Sequence, residues 1–260
     1  MPVNYASYLK LDRLLNLQES RSEPAEHDEM LFIIIHQVYE LWFKQLLHEF
    51  DKVKADLTKN RLYDALGTLK RVRMIIKTLV GQLDVLETMT PLSFSAFRDR
   101  LETASGFQSV QFREVEFLLG YKRPGVMKFL EPGWHGYERL ARRLQEPSLI
   151  DHFYDFLEQR GVEIPQYLRD AEEPHSTQPD ETVQRGLLRL YRESPKAALL
   201  FEQMLDVDEG MQEWRYRHVK LVERTIGSKR GTGGSPGVDF LKQSLFNPVF
   251  ADLWAIRHEF

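Results

Sequence analysis

Leu62-Tyr63-Asp64-Ala65-Leu66-Gly67-Thr68-Leu69-Lys70-Arg71-Val72-Arg73-Met74-Ile75-Ile76-Lys77-Thr78-Leu79-Val80-Gly81-Gln82-Leu83-Asp84-Val85-Leu86 is the stretch on which the fold turns. Leu62, Ala65, Leu69, Val72, Ile76, Leu79, Leu83 and Leu86 step by three and four without a break. That period puts them on one face of a helix, and it is sustained too long for a strand. Such a stripe is packed core or a seam between subunits and carries no chemistry of its own.

Similar patterns flank it. Ser22-Glu23-Pro24 predicts a capped helix start, with the helix running to about Leu57. Ser194-Pro195 opens a last long helix that ends at Ile226-Gly227. Shorter helices are expected after Thr90-Pro91 and over residues 108–119, 124–131, 135–145, 148–160 and 181–193. Residues 170–180 are polar and punctuated by proline, which predicts a loop. No internal repeat and no alternating run beyond about four residues is present. The expectation is all-α: a single helical-bundle domain over 1–260, with long antiparallel helices.

The bulk numbers exclude several classes. The chain has 260 residues, 42% apolar and 28% charged, with a net charge of −4. That balance gives no reason to expect nucleic acid or an anionic membrane as partner. The apolar run Leu31 to Ile35 is too short to span a bilayer, and Met1-Pro2-Val3-Asn4-Tyr5 does not read as a signal peptide, so the expected compartment is the cytoplasm. Cysteine is absent. Disulfides, zinc-thiolate sites, iron–sulfur clusters and cysteine nucleophiles are therefore excluded.

Against this background two histidines stand out. His36 and His218 both sit in the apolar stripes of long helices, the second in the series Leu200, Met204, Val207, Met211, Trp214, His218, Leu221. An imidazole there costs desolvation unless it is hydrogen-bonded or ligated. Each alone reads as a satisfied core residue; the pair suggests an internal pocket. Phe94, Phe97, Arg98 and Leu101 form one helix face, so Arg98 either snorkels to solvent or clamps a carboxylate. Ser105-Gly106-Phe107-Gln108-Ser109 offers hydroxyl and backbone donors. Gly227-Ser228-Lys229-Arg230-Gly231-Thr232-Gly233-Gly234-Ser235-Pro236-Gly237 reads as a flexible linker or as an anion-binding loop folding over whatever His218 binds. It lacks the Gly-Lys-Ser/Thr order of a nucleotide-binding loop. His27-Asp28-Glu29 points in several directions along a helix and fits a capping role. A flat cofactor held by histidine, such as haem, would use both imidazoles, with Arg98 and Thr232 positioning a small zwitterion.

These motifs coincide with those of a known family. Tyr5-x-x-Tyr8-Leu9-x-Leu11-Asp12, His27-Asp28-Glu29-x-Leu31-Phe32-Ile33, His36-Gln37-x-x-Glu40-Leu41-Trp42-x-Lys44 and Leu86-Glu87-Thr88-Met89-Thr90-Pro91 carry the resemblance. Phe97-Arg98, the Ser105 to Ser109 run, Trp214-Arg215-Tyr216-Arg217-His218 and Lys229-Arg230-Gly231-Thr232-Gly233-Gly234 extend it. The chain resembles the tryptophan 2,3-dioxygenase family. That resemblance implies a haem b oxidoreductase, ferrous when active, which inserts O2 across the indole C2–C3 bond of L-tryptophan to give N-formyl-L-kynurenine, in tryptophan catabolism by the kynurenine pathway. It implies His218 as proximal ligand to the haem iron, with Trp214 beside it, and His36 as the distal residue facing the indole N–H. Arg98 would bind the substrate carboxylate, and Thr232 the ammonium and carboxylate. Phe32 and Phe94 would wall the indole pocket, and Ser105 would lie near a haem propionate or the distal pocket. Tyr5 and Tyr8, on an N-terminal arm of about residues 1–20, would reach a neighbouring subunit's site in a homotetramer. The glycine-rich stretch 227–237 would be a mobile active-site loop.

There are departures from the family pattern. Few residues precede Tyr5, Leu83 stands where some relatives carry an aromatic, and residues 120–190 match weakly. The alternatives are a monooxygenase on the same scaffold acting on a substituted tryptophan or another aromatic amino acid, a haem-binding sensor, and a structural bundle.

Overall fold

In a computed structural model, residues 2–130, 133–170, 179–233 and 237–260 are described. Thirteen α-helices follow one another among them: α1 (Tyr5–Leu9), α2 (Leu11–Leu14), α3 (His27–Thr58), α4 (Leu62–Leu86), α5 (Pro91–Arg98), α6 (Val110–Leu118), α7 (Tyr137–Gln145), α8 (Leu149–Glu158), α9 (Gln166–Arg169), α10 (Glu181–Glu193), α11 (Pro195–Ile226), α12 (Val238–Lys242) and α13 (Ala251–Ala255). Short 3₁₀ turns complete the chain, and no strand occurs among the described residues. The all-α expectation holds.

The stripe of α4 is the centre of the molecule. Ala65, Leu69, Val72, Ile76, Leu79, Leu83 and Leu86 are all buried, and Leu62 packs against them. Each large aliphatic side chain so buried contributes about 1.5–3 kcal/mol. The helices that cover α4 are α3 and α11. Cross-links give their directions. Tyr39 reaches the Leu79 carbonyl and Glu49 pairs with Arg71, so α3 runs antiparallel to α4. Arg73 pairs with Asp206 and Arg217 with Asp84, so α11 runs parallel to α4 and antiparallel to α3. Gly210 lets α11 approach closely, because a Cβ there would lie 2.9 Å from Ile76 Cγ2.

Side-chain caps start six of the thirteen helices, the last long one among them. Thr90 accepts from Ser93 N–H with Pro91 in the first turn, and Ser194 accepts from Ala197 N–H with Pro195 likewise. These are side-chain acceptors for backbone donors that the helix cannot satisfy. The expected start at Ser22-Glu23-Pro24 is corrected: α3 begins at His27. Ser22 is engaged elsewhere. Its N–H and hydroxyl donate to the Glu29 carboxylate, and its oxygen accepts from Glu26 N–H, which makes a turn ahead of the helix. Residues 106–108 form a 3₁₀ turn, so α6 starts two residues later than expected. Pro124–Phe129 is also 3₁₀ rather than α. In the loop expected at 170–180, residues 171–178 lie outside the described residues, and Asp180 caps α10. No described helix is long and apolar enough to cross a membrane.

Candidate active site

One ligand-sized cavity, about 300 Å³, opens between α3, α5, α11, the turn at 105–109 and α12. That is within the size range of small-molecule sites. His36, Phe32, Phe94, Arg98, Ser105, Trp214, His218 and Thr232 all line it. Tyr5 and Tyr8 do not: they lie on α1, 76% and 75% exposed.

His36 is fixed by the helix that carries it. Its Nδ1 lies 2.7 Å from the Phe32 carbonyl, one turn back, so Nδ1 carries the proton and Nε2 is left as an acceptor. The Phe32 ring sits 4.1 Å from the imidazole and 5.7 Å from Phe94, giving a continuous aromatic wall. Burial holds the His36 pKa below its ordinary value, although the Phe32 carbonyl and Glu40 pull the other way.

His218 is on α11, one turn after Trp214. The two rings are parallel within 2° at a centroid distance of 5.3 Å. Burial, then His36 and Arg113, push the His218 pKa down to about 4. The ring is therefore neutral at neutral pH, the form that binds metals. No hydrogen bond engages it among the described residues. An apolar cavity with two neutral imidazoles from different helices, one of them without a hydrogen-bonding partner, suits a planar metal-bearing group with an axial histidine.

At the other end of the cavity Arg98 meets the glycine-rich loop. Its Nη2 donates to the Arg230 carbonyl at 2.8 Å, while its Nε is buried without a partner. A buried guanidinium nitrogen left unpaired is costly, and an anion would satisfy it. Thr232 Oγ1 donates to the Ala104 carbonyl at 2.5 Å, which ties the loop to the turn before Ser105. The approach is close: a Cβ on Gly233 would stand 2.7 Å from Ser105 Cβ. Ser105 Oγ accepts from Phe107 N–H as a cap. Residues 234–236 of the loop lie outside the described residues.

Sequence reasoning missed several lining residues. Tyr39 spans to the Leu79 carbonyl at 2.7 Å, and burial raises its phenol to about 12, so it stays protonated. Glu40 accepts from Gln111. Arg113, Glu116, Arg123 and Arg215 also reach the wall. The i+3 and i+4 spacing of Tyr39 and Glu40 from His36 was a usable signal. The arginines offered none, because charged residues on helices ordinarily face water.

Fold and cavity together define an all-helical protein with an internal pocket lined by two histidines and, at its polar end, by an arginine. The model of the family "Tryptophan 2,3-dioxygenase" matches residues 2–163 and 179–259, and the chain belongs to that family. Only residues 164–178 fall between the matched segments, so most of the stretch read as weakly matching is covered. Among relatives, the tryptophan 2,3-dioxygenase of Herpetosiphon aurantiacus is 53% identical over 98% of this chain and 97% of its own. That of Anaeromyxobacter dehalogenans is 52% identical over 98% and 95%. That of Saccharopolyspora erythraea is 42% identical over 99% and 92%.

Proposed function

We propose that this chain is a haem-dependent tryptophan 2,3-dioxygenase, which inserts both atoms of O2 across the indole C2–C3 bond of L-tryptophan to give N-formyl-L-kynurenine. The observation that carries the reading is one cavity holding His36 and His218 in its apolar part and Arg98 with Thr232 at its polar end. Family membership supplies the reaction.

The cofactor in this reading is haem b, ferrous in the active form. His218 would hold the iron, and the parallel Trp214 ring fixes the plane of that imidazole. When bound, the haem supplies the iron at which dioxygen is activated. The chain's own residues bind and orient the amino acid. His36 offers Nε2 as acceptor to the indole N–H, since Nδ1 is committed to the Phe32 carbonyl. Phe32 and Phe94 stack the indole and exclude water. Arg98 takes the carboxylate through the fork that now leaves Nε unpaired. Thr232 donates to Ala104, so its oxygen remains an acceptor for the substrate ammonium. Ser105 lies beside this loop and would be near the haem. Holding both ends of the substrate would fix the orientation of its indole in the cavity, and such positioning lowers the barrier.

Tyr5 and Tyr8 act, in this reading, on a neighbouring subunit of a homotetramer in the cytoplasm. The test is aerobic incubation of reduced, haem-loaded protein with L-tryptophan, followed by product mass. Gain of two oxygen atoms is expected. Gain of one, or turnover only of a substituted tryptophan, would replace the reading with a monooxygenase.

A further inference from the structure

The charges around the cavity do not balance. The charged side chains lining it, apart from histidine, are Arg98, Arg113, Arg123 and Arg215 against Glu40 and Glu116. Tryptophan is a zwitterion, so binding it at Arg98 leaves this excess of two positive charges in place. The surplus is concentrated on the side formed by α6, the residues after it and α11. Glu116, 3% exposed, accepts from Arg113 Nη1 at 2.5 Å and from Arg123 Nη2 at 2.8 Å to both carboxylate oxygens. Arg215 lies over the Tyr121 ring, with its centre 4.4 Å away, and its other partners are neutral oxygens of Tyr121 and Asn247 at 3.3 and 3.1 Å. Arg113 and Arg215 are each 5% exposed. Arg123 Nε is buried with no partner. One carboxylate thus faces three guanidiniums, two of them buried. A buried guanidinium whose partners are neutral is costly, and an anion in the cavity would offset that cost.

We infer that Arg113, Arg123 and Arg215 form a carboxylate-binding wall of the cavity, built to take the two propionates of the haem. The inference rests on the haem reading above and assigns residues that reading leaves idle. A dianion matches the surplus in charge, and the guanidinium fork matches a carboxylate in shape. Glu116 is then a positioning residue. It holds two of the forks in place without cancelling their charge.

Titration of the haem-free protein with ferric haem b and with its dimethyl ester, followed by Soret absorbance, tests this. The two porphyrins share iron and ring and differ in the carboxylates. Wild-type protein is expected to bind haem b at least tenfold more tightly than the ester. Arg123→Gln, at a half-exposed side chain, is expected to lose about three- to tenfold in haem b affinity and to leave ester affinity within twofold. Equal affinity of wild type for both porphyrins overturns the inference, and that comparison needs no variant to fold. So does an Arg123→Gln protein weakened equally toward both, which assigns the arginine a structural role. Failure of wild type to bind either porphyrin instead removes the haem reading, and this inference with it.

Discussion

Arg98 and His218 both line the cavity, and the proposed function gives each a sharp residue-scale expectation. Arg98 has one nitrogen on a loop carbonyl and one buried and unpaired, which in the proposed function the substrate carboxylate would satisfy. Losing a charge-assisted clamp costs about 1.5–4 kcal/mol, so Arg98→Ala is expected to raise KM for L-tryptophan roughly ten- to a thousandfold. Lysine should restore little of this, since it cannot reproduce the planar fork. Steady-state kinetics of haem-loaded protein decide it, and an unchanged KM takes Arg98 out of the site. His218 is a neutral imidazole with no competing hydrogen bond among the described residues. In the proposed function it would hold the haem iron, so His218→Ala is expected to lose the stable Soret band. A purified variant retaining the full band would transfer the ligand role elsewhere.

At the scale of elements, the junction of α10 with α13 holds a carboxyl that works against the fold. Asp252 is 8% exposed and accepts from Asp180 N–H at 2.7 Å and Gln184 at 3.0 Å. Burial raises its pKa to about 6, which the two hydrogen bonds only partly oppose. Its unfolded value is about 3.9, so between those two values the native state binds more protons than the unfolded one. Stability from this group is full below about pH 4 and is lost as pH rises through 6. Asp252→Asn keeps the accepting oxygen and removes the buried charge. It is expected to gain about 1–3 kcal/mol at pH 8 and nothing near pH 4, read from urea melts at both values. The same gain at both would locate the effect in packing. No sequence pattern pointed to Asp252, and the reason is general. Periodic apolar residues report burial directly, so α4, α11 and the short capped helices were legible, as were His36, Arg98 and Thr232 once their neighbours were considered. A charged residue reads as solvated until the fold brings its partners together. Glu116 with its arginines, and Ser22 turned back onto Glu29 ahead of α3, are determined by contacts that local spacing does not encode.

At the scale of the whole molecule, the N-terminal arm is the part a single chain leaves unexplained. Among the described residues, none of α1 or α2 lines the cavity. Yet Tyr5, Tyr8 and Leu15 are 76%, 75% and 69% exposed, and Met30, Ile34 and Leu41 form a further exposed stripe along α3. Exposed large apolar side chains grouped in this way mark an interaction site. A second copy of this chain is the occupant that the proposed homotetramer supplies. The expected mass by light scattering is therefore a multiple of the chain mass, fourfold in the proposed assembly. The informative variant carries Tyr5→Ser and Tyr8→Ser together, at side chains that support nothing within their own core. Within one chain these tyrosines do not line the cavity, so an effect on KM can reach it directly only through a neighbour. The double variant is expected to shift toward smaller species and to raise KM as it does so, with both effects weakening together as protein concentration increases. Wild-type protein that is monomeric at assay concentration, or a double variant with unchanged mass and unchanged KM, would leave the arm without a role in the site and confine the active centre to a single chain.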